Sequence, residues 1–338
     1  MSGPLSYRRV VVDAPEQLRV ETATLPAEVP AGHARLRPTA IGICGSDLHV
    51  LGGHHPFVSY PVYPGHEVVG EVVAVGDGGT VEDGGADSWI GRVAVLEPSL
   101  ACGTCRTCRR GKYHLCEDLR VMGFQAPGAM AELADVPLDR LHPLPAGMPA
   151  EHGALVEPLA VATHALRLTG DVAGRDVAVL GAGTIGLTCA VVAREDGANV
   201  LVVDTDDARR RIAAERFGFE VAAEVGEQAF DVVLECVGNE GALRSAIAAV
   251  VKAGTVMVIG VHGHDPAIQA GWVQDRELRL QGTLMYQTED VQRAIDLLAG
   301  GRADAGAWID ARVPLEEAQR GYDLARAGGA TLKVLLVP

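Results

Sequence analysis

From Asp176 onward the chain alternates short apolar runs with helical patterns, and this alternation restricts its fold more than any other feature. DVAVLGAG reads as a buried strand and TIGLTCAVVAREDG as the helix that follows. NVLVVD is a second strand and DARRRIAAERFG a second helix. FDVVLECVG, TVMVIGV and ELRLQGTL continue the strands, the last ending near Tyr286. Such apolar strands, separated by helices, predict a parallel sheet covered on both faces. The uncharged stretch 177–193 is marginal as a membrane span, and its three glycines point to strand, tight turn and helix instead.

The first part of the chain has a different character. Across residues 1–156, β-type runs such as RRVVVD, VVGEVVAVG and GRVAVLEP are punctuated by Gly and Pro, which predicts a compact, mostly β domain carrying loops. LAVATHALRLTG then reads as an amphipathic helix ending at Gly170. After the last parallel strand come a helix, DVQRAIDLLAGG, and a strand, TLKVLLVP, which we return to the first domain. The expected division is 1–157, with a lobe at 95–118, then 158–286, then a C-terminal return at 287–338. A chain of 338 residues is long for one core, in keeping with two domains. With aromatics at 4%, that core must rest on Val, Leu, Ile and Ala.

Charge and cysteine usage narrow the partners. A formal net charge of −15 argues against a nucleic-acid partner and against docking on an anionic membrane. The N-terminal MSGPLSYRRVVVDAPEQLRV has no apolar core long enough for a secretory signal. Four of the seven cysteines are clustered, which suits metal binding in a reducing cytoplasm better than a secreted disulfide framework.

Three constellations carry chemistry. The first is Gly181-Ala182-Gly183-Thr184-Ile185-Gly186, a G-x-G-x-x-G sequence. It follows a buried strand, opens a helix and precedes Asp204 at the end of the next strand, the full context of a dinucleotide site. The glycines let the backbone approach a pyrophosphate, and the helix N-terminus favours the anion. Asp204 suits the two ribose hydroxyls and repels a 2′-phosphate, so NAD is preferred over NADP. Arg209, Arg210 and Arg211 weaken that preference: one of them could reach a phosphate, or all could form a solvated helix face. Arg209 and Val261 join Gly181, Gly183, Thr184, Ile185, Gly186 and Asp204 as cofactor-binding candidates.

The second is Cys102, Cys105, Cys108 and Cys116. Four thiolates this close can surround one tetrahedral zinc at about 2.3 Å each. The third is Cys44, His66, Glu67 and Glu157, a thiol, an imidazole and carboxylates that make a plausible open zinc site with a position left for water or substrate. Spacing alone does not assemble residues so far apart. A lone Cys44 would be a core thiol and a lone His66 a structural hydrogen-bonder.

The series CGSDLH at 44–49, GHEVVGEVVAVG at 65–76, the four-cysteine lobe, VEPLAV at 156–161 and GAGTIG at 181–186 resembles the zinc-containing medium-chain dehydrogenase/reductase family, in its sorbitol, threonine and sugar-alcohol dehydrogenase branch. The resemblance covers nearly the whole chain. It implies a GroES-like catalytic domain and a Rossmann domain. It implies that Cys44, His66 and Glu157 bind a catalytic zinc, with Glu67 able to exchange onto the metal, and that the lobe holds a second, structural zinc. Glu157, where liver-type alcohol dehydrogenases have a cysteine, points to the polyol branch. Gly91-Arg92-Val93 departs from the family, which usually has an aspartate after the glycine.

The activity so implied is reversible oxidation of a secondary alcohol, with hydride passing between the substrate carbon and the nicotinamide. By the resemblance, Ser46 would take the hydroxyl proton and pass it through the cofactor ribose hydroxyl to His49, which would release it to solvent; ordinary turn chemistry is the other account of both. His54, His55 and Phe57 either line the substrate pocket or form a surface loop. Met285 and Tyr286 lie near the nicotinamide or at a subunit contact, and Cys189 and Cys236 read as packing residues. A polyol, a sugar acid, a cyclitol or a simple secondary alcohol fits this reading. The alternatives are a threonine-type amino-alcohol dehydrogenase, a biosynthetic ketone reductase and a non-catalytic cofactor-binding relative. A homo-oligomer, tetramer or dimer, is expected from the resemblance.

Overall fold

A computed structural model describes residues 3–78 and 86–338. The chain divides into two compact units. One comprises Met1–Glu157, Ile295–Gly300 and Ile309–Pro338, the other Pro158–Ala294 and Gly301–Trp308.

The first unit opens with a hairpin of β1 (Leu5–Ala14) and β2 (Gln17–Leu25). Then come β3 (His33–Gly42), the short helix α1 (Gly45–Leu51), β4 (Glu67–Val75) and β5 (Val93–Leu96). Two very short strands, β6 (Ser99–Leu100) and β7 (Arg120–Val121), pair at the base of the cysteine loop, followed by β8 (Ala134–Pro137) and β9 (Leu141–Pro143). The ladder of β3 and β4 is antiparallel and shifts register between Pro38 and Ala40, where proline supplies no N–H to the ladder. Val10, Leu36, Ile41, Val68, Val72 and Leu96 are buried within one apolar core, and β4 and β5 bury consecutive residues on both faces.

The second unit is the layered sheet that the alternating pattern requires. Helix α2 (Val156–Thr169) ends at Gly170, whose φ of +94° stops it. There follow β10 (Asp176–Leu180), α3 (Thr184–Glu195), β11 (Asn199–Val203), α4 (Asp207–Phe217), β12 (Glu220–Ala222) and β13 (Phe230–Glu235). The run continues through α5 (Glu240–Ala249), β14 (Val250–Val258), α6 (Ala270–Asp275), β15 (Arg279–Gly282) and α7 (Thr288–Ala299), whose residues from Ile295 belong to the first unit. The strands are all parallel, in the order β12-β11-β10-β13-β14-β15. Succession reverses at β10, and such a switch point is where open parallel sheets bind their ligands. The last strand stops at Gly282, short of the expected Tyr286, and Met285, at φ +49°, lies outside the strand region. Tyr286 is fully buried.

The chain finishes with β16 (Ile309–Pro314), α8 (Ala318–Ala327) and β17 (Lys333–Val337), all in the first unit. Strand β17 runs parallel to β16 and antiparallel to β3, completing a seven-stranded sheet. Helix α8 is absent from the sequence reading. Its Gly321 lies so close to β17 that a Cβ there would stand 2.7 Å from Leu336 Cδ2. Among the described residues, no helix is long and apolar enough to cross a membrane.

Candidate functional site

Two groups of potential metal ligands lie in the first unit. Cys44 stands at the N-terminal end of α1, and His66 and Glu67 stand at the start of β4. One ligand atom from each of Cys44, His66 and Glu67 falls within 4.8 Å of the others, the span a single tetrahedral zinc can bridge. His66 and Glu67 are buried and Cys44 is half-buried. The glycine of the GHE segment is needed because Gly65 takes φ +109°, and a Cβ there would run into the backbone N of Met130. A Cβ at Gly42 would collide with the Glu67 carboxylate, so β3 makes room for that side chain.

The surroundings are strongly negative. Burial alone would push the His66 pKa down, but Asp47, Cys44 and Glu157 pull it up to about 10, the field a cation would answer. Asp47 is fully buried on α1. Its Oδ2 accepts a hydrogen bond from Cys44 N at 2.9 Å, and its Oδ1 faces His66 Nδ1 at 3.6 Å. Neither Oδ1 nor Nδ1 has a hydrogen-bond partner among the described residues. A carboxylate behind one imidazole nitrogen leaves the other for a metal, and His66 Nε2 indeed lies on the Ser46 side, 3.5 Å from its hydroxyl. Glu157, at the start of α2, is buried and outside the 4.8 Å group, and its charge reaches His66. Ser46 is half-buried and His49 exposed, three residues apart on α1 and so on one side of that helix.

Lys333 and Asp47 escaped the sequence reading. Lys333 Nζ, almost wholly buried, donates to both Glu67 oxygens at 2.7 and 2.6 Å and to Ile43 O at 3.2 Å. A lysine within the apolar run TLKVLLVP was its only signal. Asp47, three residues after Cys44 at a helix start, fits a capping pattern that was legible. His55 stacks on Phe124 with ring centroids 4.8 Å apart, and Phe124 lies 4.8 Å from the His66 ring, which forms an aromatic wall beside the ligands. Phe57 is exposed, and its carbonyl accepts from Gln125 Nε2.

The second group is Cys102, Cys105, Cys108 and Cys116, all free thiols with Sγ atoms within 4.8 Å. Cys105 and Cys116 Sγ are 3.9 Å apart, against about 3.8 Å for two thiolates on a tetrahedral zinc. Backbone N–H groups of Cys102 and Asp118 donate to Cys116 Sγ, and those of Thr104 and Cys105 to Cys102 Sγ. Thr107 and backbone donors bring the Cys105 thiol down to about 5, while burial and neighbouring thiols hold Cys108 at about 12. Both donor sets therefore fit zinc.

In the second unit, the glycine turn closes β10 and opens α3. Gly181 takes φ +98°, and a Cβ on Gly186 would collide with Gly181 O, so the turn tolerates no side chain at either point. Gly183 caps α3 without a side-chain hydrogen bond, and Thr184 and Ile185 form its first turn. Asp204 Oδ2 accepts from Ala182 N at 2.8 Å and Oδ1 from Asp206 N at 2.9 Å, so this carboxylate also ties down the turn. Arg209 Nη1 lies 3.9 Å from Asp204 Oδ2 and would be 3.8 Å from a Cβ on Gly183. Arg210 binds Asp204 O and Asp207 instead. Val261 follows β14 and is 72% exposed. The arrangement fits a dinucleotide. Cys189 is buried, and Cys236 is half-buried beside it.

Comparison with known proteins agrees with both halves. Residues 30–146 match the alcohol dehydrogenase GroES-like domain, and residues 184–300 match the zinc-binding dehydrogenase model. The chain is 36% identical to 2-dehydro-3-deoxy-L-galactonate 5-dehydrogenase of Pseudoalteromonas atlantica, over 85% of this chain and 86% of that protein. It is 31% identical to L-galactonate-5-dehydrogenase of Escherichia coli, over 86% and 87%. A zinc-binding dehydrogenase of Sinorhizobium meliloti 1021, solved bound to NADP, superposes with a TM-score of 0.88 at 32% identity, covering 99% of this chain and 100% of that one. With a GroES-like β unit, a parallel nucleotide-type sheet and relatives of this identity along most of its length, the chain belongs to the zinc-dependent medium-chain dehydrogenase/reductase family.

Proposed function

We propose that this enzyme is an NAD-dependent dehydrogenase of polyols or sugar acids that holds two zinc ions per chain. The convergence of Cys44, His66 and Glu67 within 4.8 Å in a buried, negative setting carries the reading. Cys44 and His66 would hold the catalytic metal with Glu157, and Glu67 could exchange onto it; Cys102, Cys105, Cys108 and Cys116 would hold the structural one. When bound, zinc supplies Lewis acidity toward a hydroxyl, and the nicotinamide accepts or returns hydride. The chain's own part is to orient and to move a proton. Asp47 fixes the His66 ring, Lys333 holds the Glu67 charge in place, and the Ser46 hydroxyl takes the substrate proton as it releases its own. His49, exposed on the same side of α1, passes it to water, a task for which imidazole is suited near neutral pH.

Asp204 supports NAD, because its half-buried charge would oppose a 2′-phosphate. Arg209 beside it favours NADP, as bound in the Sinorhizobium relative. The galactonate and 2-dehydro-3-deoxy-L-galactonate dehydrogenases among the relatives support a sugar acid as the first substrate class to test. A cytoplasmic homo-oligomer, tetramer or dimer, completes the reading.

The test is cofactor reduction, followed by the absorbance of the reduced nicotinamide, on protein with its zinc content measured. Sugar acids, polyols, cyclitols, threonine and simple secondary alcohols are each offered with NAD and with NADP. Turnover with a sugar acid or polyol and NAD is expected. Turnover with threonine alone would move the enzyme to the amino-alcohol branch, and inactivity throughout despite bound zinc and cofactor would overturn the reading.

A further inference from the structure

The strand order divides the C-terminal edge of the parallel sheet in two. The glycine turn after β10 and Asp204 after β11 mark one side as the place for the adenosine half of a dinucleotide. The other half then falls over the ends of β13 and β14. Two turns stand there, 236–238 and 259–262, and they are interlocked. Gly238 takes φ +79°, and a Cβ on it would lie 2.5 Å from Val261 O; a Cβ on Gly260 would strike Gly238 N. The first of these turns also meets the glycine turn, since a Cβ on Gly181 would lie 3.0 Å from Val237 Cγ2. On this packed edge two apolar side chains stand out to solvent, Val237 at 47% and Val261 at 72% exposure.

Beneath them is Glu235, 0% exposed. Its Oε1 accepts from Val237 N at 2.7 Å and Gly238 N at 2.8 Å, which fixes the first turn. Its Oε2 has no hydrogen-bond partner among the described residues, and neither has His262 Nε2, which faces it at 3.4 Å. The 3.4 Å contact with His262 is what links this buried carboxylate to the second turn.

We propose that His262 is a positioning residue for the nicotinamide half of the cofactor. Tethered to Glu235, it sets the height of Val261 against Val237 and so fixes the apolar shelf on which the nicotinamide ring rests. The proposal rests on the dinucleotide reading above. Neither Glu235 Oε2 nor His262 Nε2 is accessible to a ligand, so the pair acts through the turn it holds.

The test is calorimetric titration of the zinc-loaded full chain with NADH and with ADP-ribose, which keeps the adenosine and both phosphates but lacks the nicotinamide. His262→Ala is expected to weaken NADH binding about tenfold, while ADP-ribose binding stays within about twofold. His262→Gln, whose amide can donate to Glu235, is expected to recover most of the loss. Equal weakening of both ligands would show general damage to the fold and overturn the proposal, as would NADH binding unchanged in His262→Ala. A wild-type protein that binds neither ligand would overturn the dinucleotide reading, and this proposal with it.

Discussion

The two cysteine-bearing clusters of the first unit are built in opposite ways. The lobe draws four thiols from 102–116, holds them with N–H donors of the same loop, and leaves Cys102 exposed. The other cluster draws Cys44 from a helix start, His66 and Glu67 from β4 and Lys333 from β17, nearly the whole chain apart, and buries them among charges. A local loop can collect ligands before the core forms, and its stability depends on the metal. A distributed cluster exists only when the sheet is complete, and the fold itself bears the cost of burying its charges. On the proposed reading, the same metal chemistry would be structural in one place and poised for reaction in the other.

Removing one thiol from each cluster should have the largest and most distinct effects. Cys44→Ala is expected to bring turnover to background with one zinc retained and the unfolding midpoint little changed. Cys105→Ser is expected to lose the other zinc and lower the midpoint, with hydride transfer persisting in whatever remains folded. Metal analysis, calorimetry and turnover assays separate the two; equal effects would erase the distinction.

Next in size is Lys333→Met. Removing the cation from a buried carboxylate typically costs about 3–5 kcal/mol, read here as a lower thermal or urea midpoint. The fall is expected to be larger after chelation than in zinc-loaded protein, because a metal can take up the Glu67 charge. Equal falls would rule out exchange of Glu67 onto the metal.

Ser46→Ala sharpens the comparison within the buried cluster. Turnover is expected to drop roughly 100-fold, as for loss of a general acid–base group, with zinc content and NADH affinity unchanged. Full activity would return Ser46 to ordinary turn chemistry.

The smallest effect concerns how the lobe is anchored. Tyr113, between the third and fourth cysteines, donates to the buried Glu97 carboxylate at 2.7 Å, which also meets Arg140 at 3.0 Å and His142 at 2.8 Å. Burial pushes the Glu97 pKa up, but His142 and Arg140 more than offset it, so the carboxyl lies below its ordinary value. Its stabilising contribution is therefore complete above the ordinary carboxylate range and fades as pH falls through the depressed value. Glu97→Gln is expected to cost about 1–3 kcal/mol at neutral pH and to flatten the loss of thermal stability in acid. An unchanged acid profile would mean that the lobe is anchored elsewhere.

Much of this architecture was legible because local rules govern it. The alternation after Asp176 required a parallel sheet, glycine followed by an acidic residue at the next strand end marked the dinucleotide turn, and the cysteine spacing marked the lobe. In each case the interacting groups are close in sequence. Cys44, His66 and Glu157, with Glu67 as an exchange ligand, were readable as candidate ligands only through resemblance to other chains, since nothing in their spacing brings position 44 to position 66. The tertiary structure alone decided the rest. Lys333 reads as a solvent-facing residue in an apolar strand until β17 pairs with β3 and delivers its ammonium to Glu67. His262 and Glu235 read as unrelated until β13 and β14 lie side by side. Propensity and periodicity act over a few residues and are written in the sequence; the partner of a buried charge is set by which strands become neighbours, and only the completed sheets determine that.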